Sequence, residues 1–297
     1  MNRAERPGIL DAGGKYVPIG DTRLFVVERG QGEPIMILHG GPGMDHSMFG
    51  DYLDPLASHY RLILVDQRSQ GKSDRAPEDS WSIKQMAADV VALAEALGLK
   101  RYTVLGHSFG AMVALQNAVD YPGVAALSII SGGVPSAEYL KGVDENLRTF
   151  EPESLRPSVT ASWEHESVAE TQEDVARLLH DQMPFHFANP VDPRIAGYET
   201  RTRGAVYAPD VLRHFARREY GGIEVLDQLY KVTQAALVLA GRNDRTCSVE
   251  AAVAISRGIP GAELEIFEHS GHMTFVEENE RYLIVVRDFI ERRGPRS

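Results

Sequence analysis

Ser108 stands in Gly106-His107-Ser108-Phe109-Gly110, a G-x-S-x-G pattern that follows one apolar run and opens directly into a helical one. A serine hydroxyl is a weak nucleophile at neutral pH. It needs a base to take its proton and a carboxylate to hold that base in the right tautomer. Two such residues follow in chain order. Asp244 closes Gly241-Arg242-Asn243-Asp244, and His272 closes His269-Ser270-Gly271-His272, each just past a short apolar run. His269 competes with His272 for the role of base. His272 is preferred because it stands farther past its strand, in a loop with more reach. The implied chemistry is acyl transfer to Ser108, then hydrolysis by water activated through His272.

The turn around Ser108 must be tight, so glycines flank it. The serine then projects at a helix N-terminus, where free N–H groups and the helix dipole favour developing negative charge. A second loop, His39-Gly40-Gly41-Pro42-Gly43, also follows an apolar run. Its backbone N–H groups could supply half of an oxyanion hole, with the other half from the residue after the nucleophile, which assigns the two donors to Gly41 and Phe109. The plainer alternative is a tight turn with a structural His39. A phosphate-cradling loop is disfavoured, since neither G-x-G-x-x-G nor a Walker lysine is present. No cluster of Cys, His and carboxylates has ligand spacing, so the expectation is no metal and no cofactor.

These loops need a frame. Buried strands are predicted at residues 35–38, 62–65, 102–105, 126–130, 236–239 and 264–267, with an antiparallel edge strand over residues 22–29. Helical patterns cover residues 83–97, 111–119 and 282–290. Such alternation predicts a mostly parallel sheet with helices on both faces, with ligands beyond the carboxyl ends of its strands. Residues 134–231 break the rhythm. They hold seven prolines (Pro135, Pro152, Pro157, Pro184, Pro190, Pro193 and Pro209) and no convincing strand, with helical stretches at residues 167–182 and 210–218. They are read as a mostly helical cap, or lid, on a core formed by residues 1–133 and 232–297.

The net charge of −11 over 297 residues argues against a nucleic-acid partner, which would need a basic footprint. The single cysteine, Cys247, rules out an internal disulfide framework. No run of about eighteen apolar residues predicts a membrane span. The first eleven residues lack the apolar stretch of a secretory signal, so a cytoplasmic protein acting on a small molecule or short peptide is expected.

Together, His39-Gly40-Gly41-Pro42-Gly43, Asp66-Gln67-Arg68-Ser69-Gln70-Gly71-Lys72-Ser73, the elbow at Ser108 and the run from Gly271 to Glu278 resemble the α/β-hydrolase fold. Within that fold they resemble the proline iminopeptidase group, the S33 peptidases. The resemblance runs from about Tyr16 to Ile290. It implies a serine aminopeptidase whose cap carboxylates hold the substrate's free amine. On that basis Trp163 and Glu164 match the family's Trp-Glu pair, and Glu219 is a second anchor by approximate position. The chain departs from the group at its elbow, where Gly-Gly-Ser-Trp-Gly is usual, and at Arg245, where some relatives carry an acid. A carboxylesterase or lactonase with the same three residues is the alternative, and a non-catalytic ligand-binding protein of the same fold is the reading from another class.

Overall fold

The computed structural model of the protein describes residues 12–294; the first eleven, read above as lacking a secretory signal, lie outside them. Eight strands form one sheet: β1 (Gly14–Pro18), β2 (Arg23–Arg29), β3 (Glu33–Leu38), β4 (Tyr60–Val65), β5 (Thr103–His107), β6 (Leu127–Ser131), β7 (Ala235–Gly241) and β8 (Glu263–Phe267). Their order is β1-β2-β4-β3-β5-β6-β7-β8. β2 pairs antiparallel with both neighbours, and every pairing from β4 to β8 is parallel. The central strands are continuous apolar runs because both of their faces are covered.

The six predicted parallel strands are all present, each within a few residues of its predicted limits. The segment predicted as an edge strand is β2, but it lies second in the sheet, and the edge itself is β1. Gly14-Lys15-Tyr16-Val17-Pro18 buries only Val17, so no apolar run announces it. A short edge strand carrying charge and proline is how a sheet discourages further pairing.

Helices α1 (Ile83–Ala96) and α2 (Phe109–Asp120) follow the β4 and β5 regions. Between β6 and β7 lie α3 (Gly142–Arg148), α4 (Arg156–His165), α5 (Gln172–His186), α6 (Arg194–Arg201) and α7 (Pro209–Ala216), with no strand of the sheet among them. α8 (Val249–Gly258), α9 (Thr274–Glu277) and α10 (Asn279–Arg293) complete the chain. The helix predicted over residues 167–182 is α5, displaced toward the C-terminus. Thr171 and Asp174 form a reciprocal capping box that sets its start, and Pro184 lies inside it, removing one i→i−4 bond two residues before the helix ends at His186. The intervening segment is closed at its base. Ser136 and Glu224 form an isolated antiparallel bridge, with Ala137 N–H donating to Ile223 O and Val225 N–H to Pro135 O, each at 2.9 Å.

Below the site, the loop after β4 is a buried polar girder. Asp66 accepts from the His46 and Lys72 N–H groups, both at 2.8 Å, and from His46 Nδ1 at 2.7 Å. Arg68, fully buried, forks onto Asp89 (2.7 Å from Nε and Nη2) and onto Asp21 (2.9 Å from Nη1 and Nη2). A buried guanidinium is tolerable only when paired in this way. These bonds give residues 66–73 a structural role.

Candidate active site

The loops after β3, β5, β7 and β8 meet at the carboxyl edge of the sheet. Ser108 sits between β5 and α2 with φ 56° and ψ −120°, a backbone conformation that costs a non-glycine residue energy. The turn holds because its flanks carry no side chains. A Cβ on Gly106 would lie 2.0 Å from Gly110 O, and one on Gly110 would lie 2.3 Å from Leu38 O and 2.5 Å from His39 O. Gly110→Ala must therefore push α2 away from β3. It is expected to destabilise the protein by about 1–3 kcal/mol or more, read as a lower urea midpoint. An unchanged midpoint would contradict this packing.

His272 Nδ1 lies 2.7 Å from Asp244 Oδ2, and both side chains are buried. The other carboxylate oxygen, Oδ1, accepts the Thr246 and Cys247 N–H groups, each at 2.8 Å. A carboxylate that accepts at both oxygens leaves the hydrogen on His272 Nδ1, so Nε2 is left with a lone pair. Ser108 and His272 line the same cavity, of about 620 Å³. His269, the competing histidine, is exposed and outside its wall. The His272 ring lies between two others, His107 at 4.9 Å and His186 at 5.2 Å between centroids. Burial holds both flanking imidazoles well below their ordinary range, so they stay uncharged beside it.

The loop after β3 is held rigidly. Gln67 N–H donates to His39 Nε2 at 3.2 Å, which leaves His39 Nδ1 to donate to Gly40 O at 2.7 Å. Burial lowers His39 to about 4, so it is neutral and structural. Gly40 N–H donates to Met48 Sδ at 2.9 Å and Gly43 N–H to Gln70 Oε1 at 2.6 Å, while Pro42 has none to give. Gly41 lines the cavity beside Ser108, and its N–H has no acceptor among the described residues. Phe109 begins α2, with its ring buried against Phe215 at 4.9 Å. The loop at Gly41 and the start of α2 flank the cavity that Ser108 and His272 both line. This arrangement is suited to stabilising an oxyanion.

A family model described as the alpha/beta hydrolase fold matches residues 33–279. The chain belongs to this family. A proline iminopeptidase from Clostridium botulinum is 29% identical over 281 residues, covering 89% of this chain and 91% of its own. An esterase from Exiguobacterium antarcticum, of known structure, is 26% identical with a TM-score of 0.76, covering 94% of this chain and 99% of its own. A proline iminopeptidase structure from Mycobacterium smegmatis shares the fold at a TM-score of 0.73 and 24% identity, over 94% of this chain and 98% of its own.

In this α/β-hydrolase the segment between β6 and β7 supplies much of the cavity wall. Trp163 and Glu164 both line it. Glu219 is exposed and is not among the cavity-lining residues, although Tyr220 beside it is. The carboxyl that sequence reasoning missed is Glu166, buried in that wall at 6% exposure. Its Oε1 accepts from Gln182 Nε2 at 2.7 Å and its Oε2 from the Tyr220 hydroxyl. Burial raises it to about 7, against the pull of those two donors. A signal for it was available, because a residue three positions after Trp163 shares its helical face. Much of the remaining wall is apolar. Met44, Met48, Met112, Met183 and Met273 are five of the chain's eight methionines.

Proposed function

We propose that this α/β-hydrolase is a serine hydrolase working through an acyl-enzyme. Ser108 Oγ attacks a substrate carbonyl while His272 Nε2 takes its proton, and Asp244 stabilises the imidazolium that results. The Gly41 and Phe109 N–H groups receive the oxyanion, each worth about 3 kcal/mol. His272 then returns the proton to the leaving group, and water repeats the sequence to release the acid. The observation that supports this most directly is the 2.7 Å bond from His272 to Asp244 in the cavity that holds Ser108.

Among substrates, the reading best supported is an aminopeptidase or aminoacyl-amide hydrolase like the proline iminopeptidases it resembles. A free α-ammonium needs a buried partner, and Glu166 is a carboxyl in the same cavity as Ser108. Residues 134–231 then form the cap, over a core of residues 1–133 and 232–297. The support for this division is the closed base at Ser136 and Glu224 and the absence of sheet strands between them. No helix among the described residues is long and apolar enough to cross a membrane.

The test is turnover of prolyl and alanyl p-nitroanilides with free amines, their N-acetylated forms and p-nitrophenyl butyrate. Glu166→Gln is expected to raise KM for the free-amine substrates by about 10- to 100-fold, the worth of one charge-assisted hydrogen bond of about 1.5–3 kcal/mol. The blocked substrates should be unaffected. Because Glu166 is held up to about 7, it is a carboxylate only above that pH. The ratio of free-amine to ester turnover in the wild type, divided by the same ratio in Glu166→Gln, should therefore fall between pH 8 and pH 6, since titration of the substrate amine and of the shared machinery is common to both proteins. Equal turnover of free and blocked substrates would favour the second reading, a carboxylesterase or lactonase. That reading is supported by the methionine-rich wall, which adapts to apolar acyl groups, and by the esterase relative.

A further inference from the structure

Residues 185–188, at the exit of α5, are bonded to both loops that carry the acid and the base. Arg245, the neighbour of Asp244, donates from Nη1 to Phe185 O at 3.1 Å and Phe187 O at 2.7 Å, and from Nη2 to Ala188 O at 3.1 Å. His272 itself donates its backbone N–H to His186 O at 2.7 Å. Glu277 ties the two segments together, because its Oε1 accepts Ala188 N–H at 2.8 Å and its Oε2 accepts Gly271 N–H at 2.7 Å. Gly271 directly precedes His272, and a Cβ there would lie 2.5 Å from His186 O and 2.7 Å from Ala188 N. There is no slack between the strap and the histidine loop.

Arg245 has a sign unsuited to holding an ammonium, and these bonds give it a different task. Its guanidinium lies 5.3 Å over the Phe150 ring and meets three carbonyls in a planar fork, a geometry that lysine cannot reproduce. Glu277 is buried at 7% exposure and spends both oxygens on backbone N–H groups of different segments. Neither residue is among those lining the cavity, so neither has a route to substrate. α5 does line the cavity, through Val175, Leu179, Gln182 and Met183.

We propose that residues 185–188 are a strap through which α5 sets the position of the Asp244–His272 pair, with Arg245 and Glu277 as its positioning residues. This rests on the reading of Asp244 and His272 as acid and base. Substrate packed against α5 bears on the same chain segment that holds His272 by its backbone. A bound acyl group and the base are thus referenced to one another through four residues.

The test combines Arg245→Met, Arg245→Lys and Glu277→Gln with Ser108→Ala as a control. The strap predicts that Arg245→Met and Glu277→Gln lower kcat by about 10- to 100-fold with KM nearly unchanged, the scale expected of a small misplacement of reacting groups. Lysine at 245 should recover only part. The far-downfield proton resonance of His272 Nδ1–H, assigned by its loss in Asp244→Asn, should shift or broaden in the two damaging variants while their circular dichroism stays native. An unchanged resonance and an unchanged kcat in folded variants would overturn the strap. If Ser108→Ala kept wild-type turnover, the serine-hydrolase reading would fail on its own. The resonance would still decide whether Arg245 and Glu277 position the pair. If Arg245→Met fails to fold, Arg245→Lys and Glu277→Gln carry the same comparison.

Discussion

Ser108→Ala is expected to lower kcat by about 10⁴- to 10⁶-fold on every substrate the wild type turns over, leaving the unfolding midpoint within experimental error. The size follows from the chemistry, since the proposed mechanism offers no second nucleophile for His272 to deprotonate. The unchanged stability follows from the backbone. Alanine keeps the Cβ and the φ of 56° that the elbow already bears, so the substitution neither adds nor relieves strain. Steady-state kinetics and a urea melt on the same preparation check both halves. A residual rate within tenfold of wild type would mean that the nucleophile lies elsewhere.

Asp244→Asn should cost about 10⁴-fold in kcat, although it removes no atom from the frame. The reason lies on the far side of the carboxylate. Oδ1 is held by the Thr246 and Cys247 N–H groups, so an asparagine must turn its single oxygen toward them. Its NH2 then faces His272 Nδ1, which has to accept instead of donate. The imidazole proton moves to Nε2, the atom that has to take the serine's proton in the proposed mechanism, and blocks the transfer. Two backbone donors thus convert a subtle substitution into a tautomer error. Loss of the downfield His272 resonance together with a normal melting curve would bear this out. A loss of less than tenfold would show that the amide has rotated and that the two N–H bonds do not govern it.

What could be read from the sequence, and what could not, divides along physical lines. The elbow and the loop at His39 were legible because backbone crowding dictates residue type there. A Cβ 2.3 Å from a carbonyl leaves glycine as the fitting choice at 110, and the pattern survives as letters. The parallel strands were legible because burial on both faces demands unbroken apolar runs. β1 was not, since an edge strand is selected for what it avoids. Glu166 was passed over in favour of Glu164, because both reach the cavity and only the fold shows which of the two is buried. The role of Arg245 was out of reach altogether. Its acceptors are backbone carbonyls some sixty positions away, and carbonyl groups have no sequence signature.

The closed base at Ser136 and Glu224 has a further consequence. Because the two ends of the segment meet, the parallel register of β6 and β7 is set without reference to the residues between, and the sheet carries no record of how much chain lies there. Length and content there can change without a cost in register. The specificity of such a molecule is therefore modular. The whole loop-out can be exchanged for a relative's as one cassette, and the chemistry below will accept it on one condition. The newcomer must offer four carbonyls and an N–H where residues 185–188 now meet Arg245, His272 and Glu277.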